Sequence, residues 1–419
     1  MSCKSLILKL MKKQIVKYGG VFLSLIICFF LFGVLTCCLP DKQVKRHIEQ
    51  ASSVLRQEGN YPYLLFDEEA CRMDNFTVSL ILNQTYCIDR TRPVHSAMNA
   101  LRYNYGPDGS QTEALYHVTH DGEDLLPIPY PRYWHGTTFL SRLLLSITTY
   151  RNLVWLMAAS IMLLWILFII RYYPRGGLWQ TIAFALSWCL VYGFVMIGSL
   201  QFFPILAIAL IASIGMTKES CDKTLLMLVT GCVTCYFDLL TVPLLSFGWP
   251  VIVWLSLQPA RSLNWKRTPC TLAIWSVAWG TGYALTFLSK WLLGSWILHT
   301  NVLQNASDAV SLRVSTGDFS RWDAVVHNWQ MLPHEFVWLV LAACAVITLI
   351  RFQKESSIKV LLLLVMAFLP YIWYLIASNH SYLHAWFTYR LQAVSIAAIL
   401  MAILSLRKMP STSKHQNLY

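Results

Sequence analysis

The chain has 419 residues, of which 56% are hydrophobic and only 13% are charged, and its mean hydropathy is +0.50. These proportions exclude an ordinary water-soluble domain and predict a protein that crosses a membrane several times. The formal net charge of +12 is spread over the connections between apolar segments, so we expect no nucleic-acid partner.

About ten apolar segments follow one another along the chain, and each is a predicted transmembrane helix. They are residues 18–39, 152–170, 178–199, 202–216, 225–241, 244–257, 270–289, 336–350, 358–377 and 387–406. Several are shorter than the roughly 20 residues that a helix needs to cross a hydrocarbon core of about 30 Å. Residues 225–257 therefore fit either two short spans or one broken span.

Lysine and arginine occupy alternate connections between these segments. Basic residues precede the first span and recur near positions 171–175, 218–223, 261–267, 351–359 and 407–414. The short turns near Gln201, Pro243 and Asn379 have none. Because basic connections stay on the cytoplasmic side, we expect a multi-pass protein of the cell membrane with both termini in the cytoplasm.

Two long polar segments then lie outside the cytoplasm. Residues 41–150 form a predicted extracytoplasmic subdomain, and residues 290–335 form a second extracytoplasmic loop. The remainder of residues 1–419 reads as a single membrane domain with a disordered cytoplasmic tail at 409–419. Helical spacing of apolar residues predicts a helix at 41–56, and Asp74 or Asn75 is a plausible N-cap for another. Whether Cys71 and Cys87 form a disulfide is left open by their spacing.

The first group of candidate site residues comes just before the second span. Arg132 and Arg142 are candidate phosphate ligands, because a guanidinium group binds phosphate oxygens in pairs. Tyr133 and Trp134 are candidate sugar-stacking rings, and His135 is a candidate catalytic residue. The alternative is an aromatic belt at the membrane surface with arginines reaching toward the headgroups.

The second group is a polar stripe on one face of the helix predicted at 225–241. It consists of Thr230, Thr234, Asp238 and Thr241. An ionisable residue within a membrane span is costly and usually faces a cavity, so Asp238 is a candidate catalytic carboxylate. The alternative is a structural role in helix packing.

The third group surrounds the start of the last span. His380 and His384 are four residues apart and are candidate phosphate-binding residues, as is Arg390, with Tyr389 as a candidate sugar-stacking ring. Arg390 has no acidic neighbour in sequence, so either Asp238 or an anionic ligand is its expected counter-charge. The two histidines lack the glutamate of a zinc-binding H-E-x-x-H motif, so no metal site is assigned, although a divalent metal ion is left open as a cofactor.

The fourth group is the set of acidic residues in the first outer loop. Asp74 is the preferred candidate general base because it is flanked by Cys71, Arg72 and the less polar run 76–82. A carboxylate in a partly apolar pocket gains basicity, which suits it to accept a proton.

Four motifs resemble those of a group of largely uncharacterised bacterial polytopic membrane proteins. They are MDNFT at 73–77, YPRYWHG at 130–136, YFDLLTVP at 236–243, and NHSYLH at 379–384 followed by FTYR at 387–390. The overall plan, an all-α protein with a large outer loop after the first span, resembles the glycosyltransferase-C superfamily. That resemblance implies a polyprenyl-phosphate sugar donor and an aspartate from the first outer loop as base or metal partner. Many members have an acidic pair soon after the first span, where this chain has only Asp41.

These observations favour an integral membrane glycosyltransferase that transfers a sugar from a polyprenyl-phosphate donor to a cell-envelope acceptor on the extracytoplasmic side. Its expected partners are the polyprenyl-phosphate lipid, the glycan acceptor and membrane lipids. Asp74 or Asp238 would accept the acceptor's proton, while Arg132 and Arg390 would stabilise the leaving phosphate. His135, His380 and His384 would assist the leaving group. The alternatives are a transporter or lipid flippase, another membrane transferase such as an acyltransferase, and a non-catalytic scaffold.

Overall fold

A computed structural model describes residues 3–65, 68–105, 109–120, 125–349 and 357–406. The tail predicted to be disordered, 409–419, lies outside the described residues.

The first third of the chain is a long helix followed by a compact set of short elements. In order these are α1 (Cys3–Cys37), α2 (Asp41–Glu58), a 3-10 turn (Glu69–Cys71), α3 (Asn75–Tyr86), α4 (Pro93–Asn99), β1 (Arg102–Tyr105), α5 (Gln111–His120), β2 (Leu125–Ile128) and α6 (Gly136–Leu145). The two strands form an antiparallel pair in which Arg102 lies opposite Ile128. This part of the chain therefore contains a small antiparallel sheet beside its short helices.

The remaining elements are helices. The middle of the chain contains α7 (Tyr150–Gly176), α8 (Leu178–Cys189), a 3-10 turn (Gly193–Met196), α9 (Phe203–Thr217), α10 (Lys223–Phe237), α11 (Leu245–Leu257), a 3-10 turn (Ala260–Ser262) and α12 (Arg267–Leu298). The last part contains α13 (Val302–Val314), α14 (Arg321–Gln330), α15 (His334–Leu349), α16 (Ser357–Ala367), α17 (Leu369–Ile376), α18 (Ser378–Leu383), α19 (Ala385–Thr388), a 3-10 turn (Tyr389–Gln392) and α20 (Ala393–Ser405).

Within the described residues, four helical stretches are long and apolar enough to cross a membrane. They are Lys13–Cys37, Tyr150–Gly176, Ile358–Ile376 and Ala385–Ser405. A fifth is present if α14 and α15, which meet at an angle of 77°, count as one span. The apolar helices α9, α10 and α11 are shorter, and the segment predicted at 178–199 is interrupted after Cys189. The chain is thus a mainly helical protein with several potential membrane spans, and the number ten stays a prediction.

The local predictions for the first loop are confirmed. Helix α2 covers the expected range, and it buries one face formed by Val44, Ile48, Ala51 and Leu55. Asp74 caps α3 because its side chain accepts a hydrogen bond from the backbone N–H of Thr77. Such a cap satisfies one of the N–H groups that the first turn of a helix leaves unpaired.

The predicted cytoplasmic connections contact one another at one end of the bundle. Lys17 forms an ion pair of 2.8 Å with Asp222, and Arg175 donates to the carbonyl of Thr217. At the far end of α1, about 30 Å away at 1.5 Å per residue, its last residues contact the first loop through Arg142. We call this second end the outer end. The connections that contact one another at the first end are therefore ones that the alternation of basic residues predicts to lie on the same side of the membrane.

Candidate functional site

A basic pocket of about 380 Å³ lies at the outer end, where three distant segments of the chain meet. Its lining residues are Arg132, Asn305, Asp308, Ala309, Leu312, Arg313, Asn379, His380, Leu383 and His384. Three of the predicted phosphate-binding residues therefore line one pocket, namely Arg132, His380 and His384. Helix α13, in the segment predicted as the second extracytoplasmic loop, contributes Asn305, Asp308 and Arg313 to the polar wall, and α18 adds Asn379.

Arg132 reaches the pocket from a tightly held turn of the first loop. The indole N–H of Trp291 donates to its backbone carbonyl at 2.9 Å. Its guanidinium carbon lies 4.1 Å from the ring centroid of Tyr130, a stacking arrangement that limits the side chain's freedom. The Nε atom of Arg132 is buried and has no hydrogen-bond partner among the described residues.

Arg313 is the second cation of the pocket, and nothing in the sequence pointed to it beyond its place in a polar loop. It lies in the last turn of α13, where it donates to the Ala309 carbonyl and to the phenol oxygen of Tyr133, both at 2.9 Å. Its Nε atom is also buried without a described hydrogen-bond partner. As a cation that lines the pocket, Arg313 favours an anion there, because a guanidinium group presents several N–H donors.

The charge of the pocket is positive. Two guanidinium groups face one carboxylate among the lining residues, that of Asp308. Asp308 accepts a hydrogen bond of 2.8 Å from the amide of Gln304, one helical turn earlier. No ion pair within the described part of the chain neutralises Arg132 or Arg313. The arrangement can therefore hold an anion such as a phosphate.

The two histidines of the pocket are neutral. Burial, with smaller contributions from His384 and Arg313, lowers the pKa of His380 to about 3. Its Nε2 lies 2.6 Å from the carbonyl oxygen of Leu240, which only accepts, so Nε2 carries the hydrogen. Burial and then Arg313 lower the pKa of His384 to about 4. Neither ring therefore adds positive charge at neutral pH, and His380 has only its acceptor nitrogen Nδ1 left for a ligand.

Arg142 lies elsewhere, which corrects the prediction that it binds phosphate. Its guanidinium donates to the carbonyls of Thr36, Leu39 and Thr85. It also forms an ion pair of 2.5 Å with Asp41, and its side chain is 0% exposed. Arg142 thus joins the end of α1 to α2 and α3, and it is enclosed away from any ligand.

Tyr389 and Arg390 connect the first loop to the last span through hydrogen bonds. The phenol of Tyr389 donates to the carbonyls of Ala70 and Val191, and Arg390 donates to Ala70 at 2.8 Å. Both side chains are buried, so the Tyr389 ring has no face for a sugar. The carboxylate that interacts electrostatically with Arg390 is that of Asp74, whereas the expectation was Asp238 or an anionic ligand.

The two predicted catalytic carboxylates are buried and do not line the pocket. Asp74 is 2% exposed, and burial raises the pKa of its carboxyl group to about 6. Asp238 accepts hydrogen bonds from the backbone and the hydroxyl of Thr241, which closes the turn after α10. Its Oδ2 atom is buried without a described hydrogen-bond partner. The accessible carboxylate of the pocket is therefore Asp308, a residue that the sequence did not single out.

The remaining candidates, Tyr133, Trp134 and His135, are buried and do not line the pocket. The ring of Tyr133 is therefore not available for sugar stacking. The indole of Trp134 donates to the carbonyl of Thr286 at 2.7 Å and packs inside the protein, so it is not available for sugar stacking. His135 adopts a left-handed backbone conformation with φ of 58° and contacts the Tyr130 carbonyl through Nε2. Burial lowers the pKa of its imidazole to about 3, which makes the ring neutral.

The described residues contain no group of three histidine, cysteine or acidic side chains arranged to hold a metal ion. Cys87 is a free thiol, so the disulfide with Cys71 that the spacing left open is not formed. No family model, no curated protein and no solved structure matches the chain.

Proposed function

We propose that the protein is an integral membrane glycosyltransferase that transfers a sugar from a polyprenyl-phosphate donor to a cell-envelope acceptor at the extracytoplasmic face. The observation that supports this proposal is the pair of guanidinium groups, Arg132 and Arg313, in a pocket with a single carboxylate. Two guanidinium groups that line one pocket suit a phosphate that gains negative charge as its bond to the sugar breaks.

The rim of the pocket suits a ligand that is part lipid. Leu312 and Leu383 line it and are 64% and 60% exposed. Exposed aliphatic side chains next to arginines match an amphiphile whose phosphate enters the pocket while its chain stays in hydrocarbon. A soluble sugar nucleotide has no lipid chain to contact these leucines, so the rim would add nothing to its binding affinity. The apolar border therefore favours a lipid-linked donor.

Asp308 is the residue to which we assign the role of general base. In the proposed reaction the acceptor's hydroxyl oxygen forms a bond to the anomeric carbon of the sugar. The bond from that carbon to the phosphate oxygen breaks, and the polyprenyl phosphate leaves with the electron pair. The hydroxyl proton goes to the carboxylate of Asp308, while Arg132 and Arg313 hold the phosphate.

The membrane placement belongs to the same proposal. The outer end of the bundle would face the extracytoplasmic side, and both termini would lie in the cytoplasm. The alternating basic connections support this orientation. The contact between Lys17 and Asp222 supports it as well, because it joins two connections predicted to lie on the same side.

Purified protein in lipid nanodiscs tests the proposal directly. The substrates are polyprenyl-phosphoryl hexoses with a radiolabelled sugar, the acceptor is an envelope glycan extract, and the readouts are released polyprenyl phosphate and labelled glycan. We expect transfer with at least one donor, abolished by Asp308→Asn and kept by Asp318→Asn, a matched change at an exposed residue of the same loop. Transfer that survives Asp308→Asn would place the base elsewhere. Movement of intact donor across proteoliposome membranes without release would favour a flippase instead.

A further inference from the structure

Helix α14 carries an exposed apolar stripe formed by Trp322, Val326 and Trp329. These side chains are 66%, 48% and 37% exposed. At 100° per residue they lie within about 60° of one another on one face of the helix. The opposite face, with Ala324 and Asn328, is buried. Two tryptophans on a free helix face are costly in water and typical of a membrane interface.

The orientation of α14 supports an interfacial position. It meets α15 at 77°, so its ten residues, about 15 Å long, advance only about 3 Å along the direction of α15. Helix α15 exposes Phe336 and Leu339 on its own outer surface. If α15 crosses the bilayer, α14 runs nearly parallel to the membrane plane and its stripe continues the lipid-facing surface of α15.

The depth of α14 is fixed by its contacts. Arg321, its first residue, donates to the carbonyl of Leu375 and to the hydroxyl of Ser378. Leu375 lies in the last turn of α17, at the outer end of the potential span Ile358–Ile376. A capping box at Ser320 and Asp323 fixes where the helix begins. The helix therefore lies beside the boundary of a membrane-spanning segment.

We propose that α14 is an interfacial helix that rests in the headgroup region at the outer end, with Trp322, Val326 and Trp329 in contact with lipid. Its buried face is bonded to the segment that carries the two pocket histidines, because the Asn328 amide donates to the Ser381 carbonyl and accepts from the Thr388 hydroxyl, both at 2.7 Å. The pocket then lies at the depth of lipid phosphates. This surface goes beyond the proposed function and does not require any transferase activity.

Photo-crosslinking in nanodiscs tests the position. The full-length protein carries p-benzoylphenylalanine in place of Val326, of Leu339 on α15, or of Gln50, an exposed residue of α2. The readout is a covalent lipid adduct by mass spectrometry, with phosphatidylglycerol and phosphatidylethanolamine as the lipids. We expect lipid adducts at positions 326 and 339 and no adduct at position 50.

Three results would overturn the proposal: adducts at 339 but not at 326, adducts of equal yield at 50 and 326, or no adduct at either 326 or 339. The last result would remove the premise that α15 faces lipid. Adding Arg313→Gln should leave the lipid adduct at 326 unchanged, because that contact does not depend on the basic pocket. A failure of the proposed transferase reaction would likewise leave this adduct in place.

Discussion

Arg313 donates a hydrogen bond of 2.9 Å to the phenol oxygen of Tyr133, 180 residues earlier in the chain. This contact joins the second outer loop to the first at the wall of the basic pocket. Tyr133 is buried, so its hydroxyl is a fixed acceptor that orients the guanidinium group. The pocket is therefore shaped by a bond between two loops rather than by either loop alone.

Replacing Tyr133 by Phe removes that acceptor and leaves the Arg313 side chain free to move. We expect binding of farnesyl phosphate to weaken by up to about tenfold, since one hydrogen bond to a charged group is lost. Dissociation constants from microscale thermophoresis in nanodiscs measure the change. Tyr130→Phe is the matched control, because it keeps the ring on which Arg132 stacks. Loss of binding in Tyr130→Phe together with normal binding in Tyr133→Phe would contradict this role.

Because the two histidines of the pocket are neutral, we predict that ligand affinity does not change with pH. The pKa of His380 is lowered to about 3 and that of His384 to about 4, so neither ring gains a proton between pH 8 and pH 5.5. We expect the affinity for a polyprenyl-phosphoryl hexose to stay constant over this range, since its phosphodiester does not titrate there either. Isothermal titration calorimetry at four pH values measures it. Binding that strengthens as the pH falls through about 6.5, the ordinary histidine pKa, would show that a ring becomes charged.

Arg142→Gln is predicted to destabilise the fold without reaching the pocket. The change leaves the carbonyls of Thr36, Leu39 and Thr85 without their donor and Asp41 without its cation. Removing one partner of a buried ionic network costs on the order of 3 kcal/mol, so the melting temperature in detergent should fall. Arg151→Gln, at an exposed arginine, should leave it unchanged. An unchanged melting temperature with lost phosphate binding would restore Arg142 as a ligand.

Asp74→Asn is predicted to raise stability at high pH. Burial raises the pKa of the folded carboxyl group to about 6, above its unfolded value near 3.8. The folded state therefore favours the protonated form, and ionisation costs stability that grows from about pH 4 to pH 6 and then levels at roughly 3 kcal/mol. Asparagine keeps the N-cap acceptor but carries no charge.

The melting temperature measured at pH 8 and pH 4.5 checks the direction of this effect on stability. Asp74→Asn should melt higher than wild type at pH 8 and close to it at pH 4.5. The same variant should keep transferase activity, because Asp74 does not line the pocket. Lost activity with unchanged melting at both pH values would identify Asp74 as the base after all.

Polar residues beside apolar runs are conspicuous in a sequence, which is why Arg132, His380 and His384 were candidates. The structure places all three in the lining of one cavity, and their role as phosphate ligands stays a prediction. Arg313 and Asp308 were missed because nothing in a polar loop distinguishes a pocket-lining charge from a solvated one. Only the packing of α13 on the first loop and α18 gives them their place.

Two other arginines show the limit of the same reasoning. A buried arginine needs partners, and sequence alone does not show whether they are phosphate oxygens or backbone carbonyls. Arg142 finds the unpaired carbonyls at the end of α1, and Arg390 finds the carbonyl of Ala70. Both sets of acceptors come from distant parts of the chain and are created by the fold. For a related reason the sequence did not show that the segment 178–199 is interrupted, because its apolar composition continues past the end of α8 at Cys189.

The affinity of farnesyl phosphate for the double variant Arg132→Gln/Arg313→Gln tests the central claim most directly. Farnesol serves as the phosphate-free ligand, and Arg261→Gln/Arg267→Gln, at two exposed arginines in a predicted cytoplasmic connection, is the charge-matched control. Two lost charge-assisted hydrogen bonds of about 1.5 kcal/mol each predict roughly 100-fold weaker binding of the phosphate. Farnesol binding and the control variant should be unaffected. Equal affinity of the wild type and the pocket variant for farnesyl phosphate would contradict the account.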